Sequence, residues 1–565
     1  MDLREIKETT IWGLFEKGRS YHHRMNIYTD TDINHRMYNG NQWEGAKLGE
    51  VEPVQKNFIK PIVKYKCAVI HANLYAINYS SQNHESEAFQ QEAKKICDML
   101  NRYASRVWDT QKMDKKLRMI TKDAAINDEG VLYVDFDRDT MMPVCEIIDK
   151  NDIYYGNEND MDIQRQPYIL IRKRMPVINA QELAESFGVG KDQLQAIIGD
   201  NDTLEEAGEA AKQEVDDMVT IVYKMYKMKG SVHFSVASRF VEIANDKNLG
   251  ISRYPVAHFV WEEKKGSARG EGEVRQLIPN QVEVNKTEMR RILTAKQQAY
   301  PKTVADKNKI ANPDQLGRVG GVIFTNGQPV DDVRKVVGTL PPAQMSPDVK
   351  QIQDDLIQMT RDLAGAGDSA TGQINPETAS GRAILAVQQA SQAPMTEQKE
   401  TCKDFIEDFA NIQLEYLIAY SEGGINLEQA VTGPDGEEVY QIVNVPQSVL
   451  KQLQAAVKVD VTPKSVYDKF AQEQTIENLL LQGLFNPQRL NELEAYVEAL
   501  DDDAVAPKLK LKGIIKRIRQ TQQQIAQIEA QSKMMLQRGN QFLSGDIQNQ
   551  QAQIAAIMRQ MGQTT

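Results

Sequence analysis

The sequence predicts an α+β, largely helical protein, and three observations predict it. Apolar residues recur at helical spacing to roughly Asn127 and again from about Lys464 to the end. From Glu129 to about residue 263 the pattern changes to short Val-, Ile- and Tyr-rich runs between turn residues, as strands require. Two long helical stretches, 273–298 and 346–363, enclose a segment punctuated by Pro, Gly and Asn.

Taken in order, Leu14 and Phe15 precede an aromatic-rich loop, and NFIKPIVKYKCAVIHANLYAINYS, beyond Pro53, reads as one buried helix. GVLYVDFD, VCEIID, DIYYG and YILIRKRM read as strands, the helix NAQELAESFG interrupts them, and MVTIVYKMYKM, SVHFSVASRFVEIA and RYPVAHFVWEE complete an α+β unit near residue 263. GSARGEGEVRQLIPNQVEVNKTEMRRILTAKQQAYP opens with glycines and continues as one helix. Over 273–298 that helix would run on the order of 39 Å. Pro279 marks a kink or a later start. Residues 299–345 read as irregular or β, with VGGVIF as a strand before the turn TNGQ. Ser346 suits a helix cap and Pro347 the first helical position. Ile352, Leu356, Met359 and Leu363 then fall on one apolar face. GAGDSATGQ is too rich in Gly and Ser to hold a fixed helix and predicts a mobile loop. The helices PETASGRAILAVQQAS and EQKETCKDFIEDFANIQLEYLIAYS follow, separated at Pro394, and TGPDGEE predicts a turn between strands. Near the end, Leu511, Ile518, Ile525, Ile528 and Met535 approximate a heptad seam.

At 565 residues the chain has room for two or more domains, and 41% hydrophobic with 26% charged residues is ordinary for a folded protein. No apolar run is long enough to span a membrane, and MDLREIKETT lacks a secretory signal, so cytosolic synthesis is expected. Cys67, Cys97, Cys145 and Cys402 lie far apart with no CxxC pair, which predicts reduced, mostly buried thiols. The net charge of −12 is uneven. From Val505 onward nine Lys or Arg face Glu529 and Asp546, giving +7, which leaves −19 on the first 504 residues. An acidic body with a basic tail is not the footprint of a protein that grips a duplex over its whole surface.

The motifs of common chemistries are missing from the sequence. Gly188, Gly190 and Lys191 in FGVGKD lack phosphate-loop spacing and suit a turn beside a helix, and GSARGEGE follows no βαβ unit. His22, His23 and His35 have no HExxH or Cys/His set beside them, and their aromatic neighbours suit packing. NENDMD lacks an EF-hand frame and reads as a polar loop. Asp501, Asp502 and Asp503 point in different directions on any regular element and suit the end of a helix. No catalytic, cofactor-binding or metal-ligating residue is assigned. The alternative reading is a metal-dependent nucleic-acid enzyme using Asp501–Asp503, or a helical nucleic-acid-binding adaptor centred on 505–565.

Three strings and the order of parts resemble the portal proteins of tailed bacteriophages. HRMYNGNQW resembles the polar, aromatic segment of portal N-termini. GEGEVRQLIPNQVEVNK, with Gln281 and Asn285, is similar to the start of the family's stem. NPETASGRAI, with Thr378, Ser380 and Gly381, resembles the string after the family's tunnel loop. The resemblance implies N-terminal helices and an α+β wing at 1–263, a first stem helix at 264–298, and a small α/β clip at 299–345. It further implies a second stem helix at 346–363, a tunnel loop at 364–375, a helix with the remaining wing at 376–463, and a helical crown with a basic tail at 464–565. The small residues of the loop are Ala364, Gly365, Ala366, Gly367, Ser369, Thr371 and Gly372.

The function implied is that of a structural ring subunit, not an enzyme and without cofactor, small-molecule substrate or membrane. It would assemble in the host cytoplasm into a homo-oligomeric ring of twelve at one capsid vertex of the virion. The ring would pass double-stranded DNA during packaging and ejection, and would meet terminase, scaffold, major capsid protein and head-tail adaptor. Candidate channel or ring-contact cations are Arg290, Arg291, Lys296, Lys302, Lys307, Lys309, Arg318, Arg334 and Lys335. Those of the crown are Lys508, Lys510, Lys512, Lys516, Arg517 and Arg519. A predominantly acidic ring would let DNA slide, because each phosphate neutralised adds affinity.

Overall fold

The computed structural model describes residues 8–48, 52–81, 87–200, 217–300, 302–318, 320–327, 332–341, 344–367, 393–432, 438–453, 455–463, 492, 514–515, 517–519, 521–530 and 545–562. It divides into two compact units, Met1–Thr462 and Pro463–Thr565.

The first unit opens with helices α1 (Thr10–Arg24), α2 (Ile27–Asn39) and α3 (Ile59–His71). The aromatic-rich stretch expected as a loop is therefore helical, broken only where Asn26 turns left-handed at φ 57°. The single helix expected through Ser80 is also corrected. It stops at His71, and Asn73–Ser81 forms strand β1. Ile77 and Tyr79 are buried, Asn78 between them is half-buried, and Ala76 and Ser80 on either side are exposed, a period of two hidden in a largely apolar run.

Helices α4 (Glu87–Thr110) and α5 (Met113–Asn127) lead to the strands β2 (Glu129–Asp137), β3 (Met142–Ile148), β4 (Ile153–Tyr155) and β5 (Tyr168–Pro176). After α6 (Val177–Ser186) and the short α7 (Lys191–Leu194) come β6 (Met218–Met228), β7 (Ser231–Ala237), β8 (Glu242–Asn248) and β9 (Val256–Val260). Two open antiparallel sheets result, in the orders β3-β2-β9 and β4-β5-β6-β7-β8. Alternate residues of β2 face α5, and Gly130 lets the strand close on it, since a Cβ there would lie 2.4 Å from the Ile120 carbonyl.

Then come α8 (Glu273–Ala299), a small insert, α9 (Asp348–Leu363), α10 (Thr396–Tyr420), the hairpin β12 (Ile425–Thr432) and β13 (Glu438–Val445), α11 (Gln447–Leu453) and β14 (Ala455–Pro463). In the insert, β10 (Thr303–Ala305) pairs with β11 (Val337–Thr339). β14 pairs with β1, so the two ends of this unit are sewn together. Phe405, Phe409, Tyr416 and Cys402 of α10 are buried in the same core as Phe259 and Val131 of the three-stranded sheet. The four cysteines are free thiols. Burial pushes Cys97 up to about 11 and Cys67, Cys145 and Cys402 up to about 12, so they stay protonated near neutrality. In the second unit, residues 521–530 and α12 (Gly545–Gly562) are helical, and Ile525 and Ala526 share a groove with Met558. Ile518, Ile525 and Ile528 of the expected seam are half-buried, whereas Leu511 and Met535 lie outside the described residues.

Candidate functional site

The long helix α8 grows out of a buried charged knot. Arg269 is only 5% exposed, yet its guanidinium donates to both Glu158 oxygens at 2.9 Å, to Glu129 Oε1 at 2.5 Å and to the Ile153 carbonyl at 2.9 Å. It also donates to Nε2 of His22 at 2.9 Å, and the His22 ring stacks on Tyr154. Glu129 accepts in turn from Tyr155 Oη and pairs with Nε2 of His258 at 2.7 Å. Asp128, held at φ 80°, pairs with Lys150 and accepts the N–H of Gly272, the residue that caps α8.

Electrostatics follow from that packing. Burial pushes the Glu158 carboxyl up, but Arg269 and His22 outweigh it and bring it down to about 2. Burial, reinforced by Arg269, lowers His22 to about 4, so its ring is neutral. The glycines of GSARGEGE serve this geometry rather than a nucleotide. Gly270 has φ +71°, and a Cβ on it would lie 2.1 Å from Val260 Cγ1 and 2.5 Å from the Glu262 carbonyl.

Gln281 and Asn285, singled out in the sequence, are buried and hold an extended segment against α8. Gln281 Oε1 accepts from the Phe58 N–H and its Nε2 donates to the Lys56 carbonyl. Asn285 Oδ1 accepts from the Lys56 N–H, and its Nδ2 donates to Gln42. HRMYNGNQW and the α8 string, two of the three diagnostic strings, thus meet in space. The third, NPETASGRAI, lies outside the described residues.

Helices α8 and α9 run antiparallel and are joined through polar side chains. Asn280 donates to Thr360 Oγ1 at 2.9 Å, and Gln353 donates to the Val284 carbonyl and to Glu288, while Arg291 donates to Gln353. Pro279 is accommodated within α8, where its side is exposed and water can satisfy the freed carbonyl. α9 begins at Asp348, so Pro347 stands just before the helix rather than at its first position, and Ser346 Oγ accepts the Asp348 N–H. The apolar face read from the sequence is open in the single chain: Ile352, Met359 and Leu363 are 64%, 65% and 83% exposed, and Leu356 is half-buried.

The described residues of the expected strand VGGVIF, 320–324, form no strand, and a single bridge, Ile310 with Thr325, follows directly after them. Asn312 explains why: its side chain donates to the Val322 carbonyl and accepts the Phe324 N–H, taking up the groups a strand partner would use. Val322 and Phe324 are left exposed, and Ile310 and Val336 are buried.

The candidate cations separate into two groups. On α8, Arg290 lies 3.4 Å from Glu283, Arg291 2.9 Å from Glu288 and Lys296 3.0 Å from Glu52. On the insert, Lys302, Lys307, Lys309, Arg318, Arg334 and Lys335 are all exposed, with Lys309 near Asp306. Of the expected loop, Ala364, Gly365, Ala366 and Gly367 are described, and Ala364 and Ala366 are buried against the core. Ser369, Thr371, Gly372, Asp501–Asp503, Lys508, Lys510, Lys512 and Lys516 lie outside the described residues. Arg517 is exposed on its helix and Arg519 half-buried. Among the described residues no group of His, Cys, Asp and Glu could hold a metal ion, and no helix is long and apolar enough to cross a membrane. His35 meets Asn127, and His22 and Glu158 both meet Arg269 in the buried knot.

No curated protein matches the chain. The family profile described as "Phage P22-like portal protein" matches residues 194–564, a span that begins at the end of α7 and takes in β6 to β9, α8, the insert, α9, α10 and the second unit. A match over most of the chain, coinciding with a knotted helix pair that carries an insert at its tip, identifies it: the chain belongs to the P22-like phage portal protein family, a structural family of the phage capsid.

Proposed function

We propose that the chain is the subunit of a ring of about twelve copies at one capsid vertex, surrounding the channel through which double-stranded DNA is packaged and later ejected. In this reading 1–263 is the wing, 264–298 and 346–363 are the stem, and 299–345 is the clip. The tunnel loop is 364–375, the helix and remaining wing are 376–463, and 464–565 is the crown. The chain carries no catalytic chemistry of its own, and a separate terminase supplies the work. The observation that carries the proposal is the α8–α9 pair, anchored at one end by Arg269 and ending at the other in a small cationic insert. Such a hairpin leaves a helix face open for a neighbour and sets its tip far from the body.

The exposed Lys and Arg of the insert, beside exposed Val322 and Phe324, suit docking of terminase and then of head-tail adaptors. Scaffold and major capsid protein would meet the wing, and the site of action is the virion after assembly in the host cytoplasm. The test is electron microscopy of the purified protein with light-scattering mass at low and moderate salt. Rings with a channel wide enough for a duplex of roughly 20 Å are expected. A compact dimer with metal-dependent DNA cleavage would sink the proposal.

A further inference from the structure

The open face of α9 has a defined chemistry. Asp348, Ile352, Asp355 and Met359 recur at i, i+4, i+7 and i+11, and all are exposed. Gln353 and Thr360, which meet α8, lie roughly a third of a turn or more round the helix at 100° per residue. α8 likewise has a stripe turned away from both α9 and the body: Glu283, Lys286, Arg290 and Leu293. The charges are opposite. α9 carries four Asp against Lys350 and Arg361, a net −2, and α8 carries five Lys or Arg against three Glu, a net +2.

The geometry points to a head-to-tail contact between copies of this chain, in which the acidic-apolar stripe of α9 on one copy packs on the basic stripe of α8 on the next. This rests on the ring proposed above. Cyclic symmetry rotates a copy about the axis without raising it, so with the stem helices set along that axis, heights within one copy carry over to its neighbour. Position 353 of α9 is level with 284–288 of α8, and 360 with 280. Asp355 therefore falls within a helical turn of the neighbour's Lys286, and Asp348 within a turn of Arg290 and Leu293. Ile352 fills the space between these pairs, and Met359 extends the contact beyond Asp355. The two stripes are different surfaces, so the contact repeats in one direction and closes only as a ring.

The test uses two full-length variants, Asp348→Lys/Asp355→Lys and Lys286→Glu/Arg290→Glu. All four side chains are at least partly exposed, so circular dichroism melts should match the unaltered protein. Each variant alone is expected to lose rings by on the order of tenfold or more, since like charges then face each other. Mixing the two should restore rings, because every contact between unlike variants pairs opposite charges. Rings from each variant alone, at the unaltered protein's level, would overturn the stripe contact and leave the ring reading standing. Failure of the mixture would also overturn it. An unaltered chain that stays monomeric at every salt concentration would overturn both.

Discussion

Arg269 carries a full charge into a site almost closed to water, and six acceptors surround it: both oxygens of Glu158, one of Glu129, Nε2 of His22 and the Lys150 and Ile153 carbonyls. Replacing it with Met leaves two buried carboxylates uncompensated. The expected loss is about 3–5 kcal/mol, read from the midpoint of denaturant unfolding. The same knot sets a pH dependence. The unfolded chain protonates His22 near its ordinary 6.5 and the folded chain only near 4, so the unfolded state binds more protons in between. The stability contributed by the neutral ring is full above about 6.5 and is lost as pH falls toward 4. Glu158, ordinarily near 4.5 and here about 2, continues the loss in the same direction. The melting temperature should fall with acidification from about pH 6.5 downward, and His22→Gln should flatten the upper part of that slope while leaving the lower part. None of this was legible in the sequence, where GSARG read as a glycine-led helix start, NENDMD as a polar loop and His22 as a packing residue. The partners of Arg269 stand 111, 140 and 247 residues away, and only the fold brings them together.

At the scale of elements, α8 is held by Gln281 and Asn285 rather than by apolar packing alone. Gln281→Leu orphans the Phe58 N–H and the Lys56 carbonyl, at about 1–3 kcal/mol for a buried group left unmet. Faster amide exchange at Phe58 with α8 itself still protected is the expected signature. Both long helices were legible nearly to the residue because their apolar periodicity is long and their ends carry Gly272 and Ser346. β1 was not, since Leu74 to Tyr79 continues the apolar run of α3 without a turn signal. VGGVIF failed for the opposite reason: its composition suits a strand, but Asn312 occupies its backbone groups. The α9 periodicity was read correctly, and its apolar face is left open in the single chain.

At the scale of the molecule, the chain divides into two compact units at Thr462 and Pro463, and the basic stretch from Val505 onward belongs to the second. A chain ended after Pro463 keeps β14 and every element of the first unit. It should therefore melt cooperatively within a few degrees of that unit in the full chain, by calorimetry. The pairing of β1 with β14 has one more consequence. Asn78 and its partner Asp460 are separated by 382 residues. At a translation rate of about 5–20 residues per second, the N-terminal strand waits on the order of 20–75 s for the segment that completes it. The ribosome thus acts as a timer: no nascent chain can present a finished body to its neighbours until its own synthesis has passed Asp460.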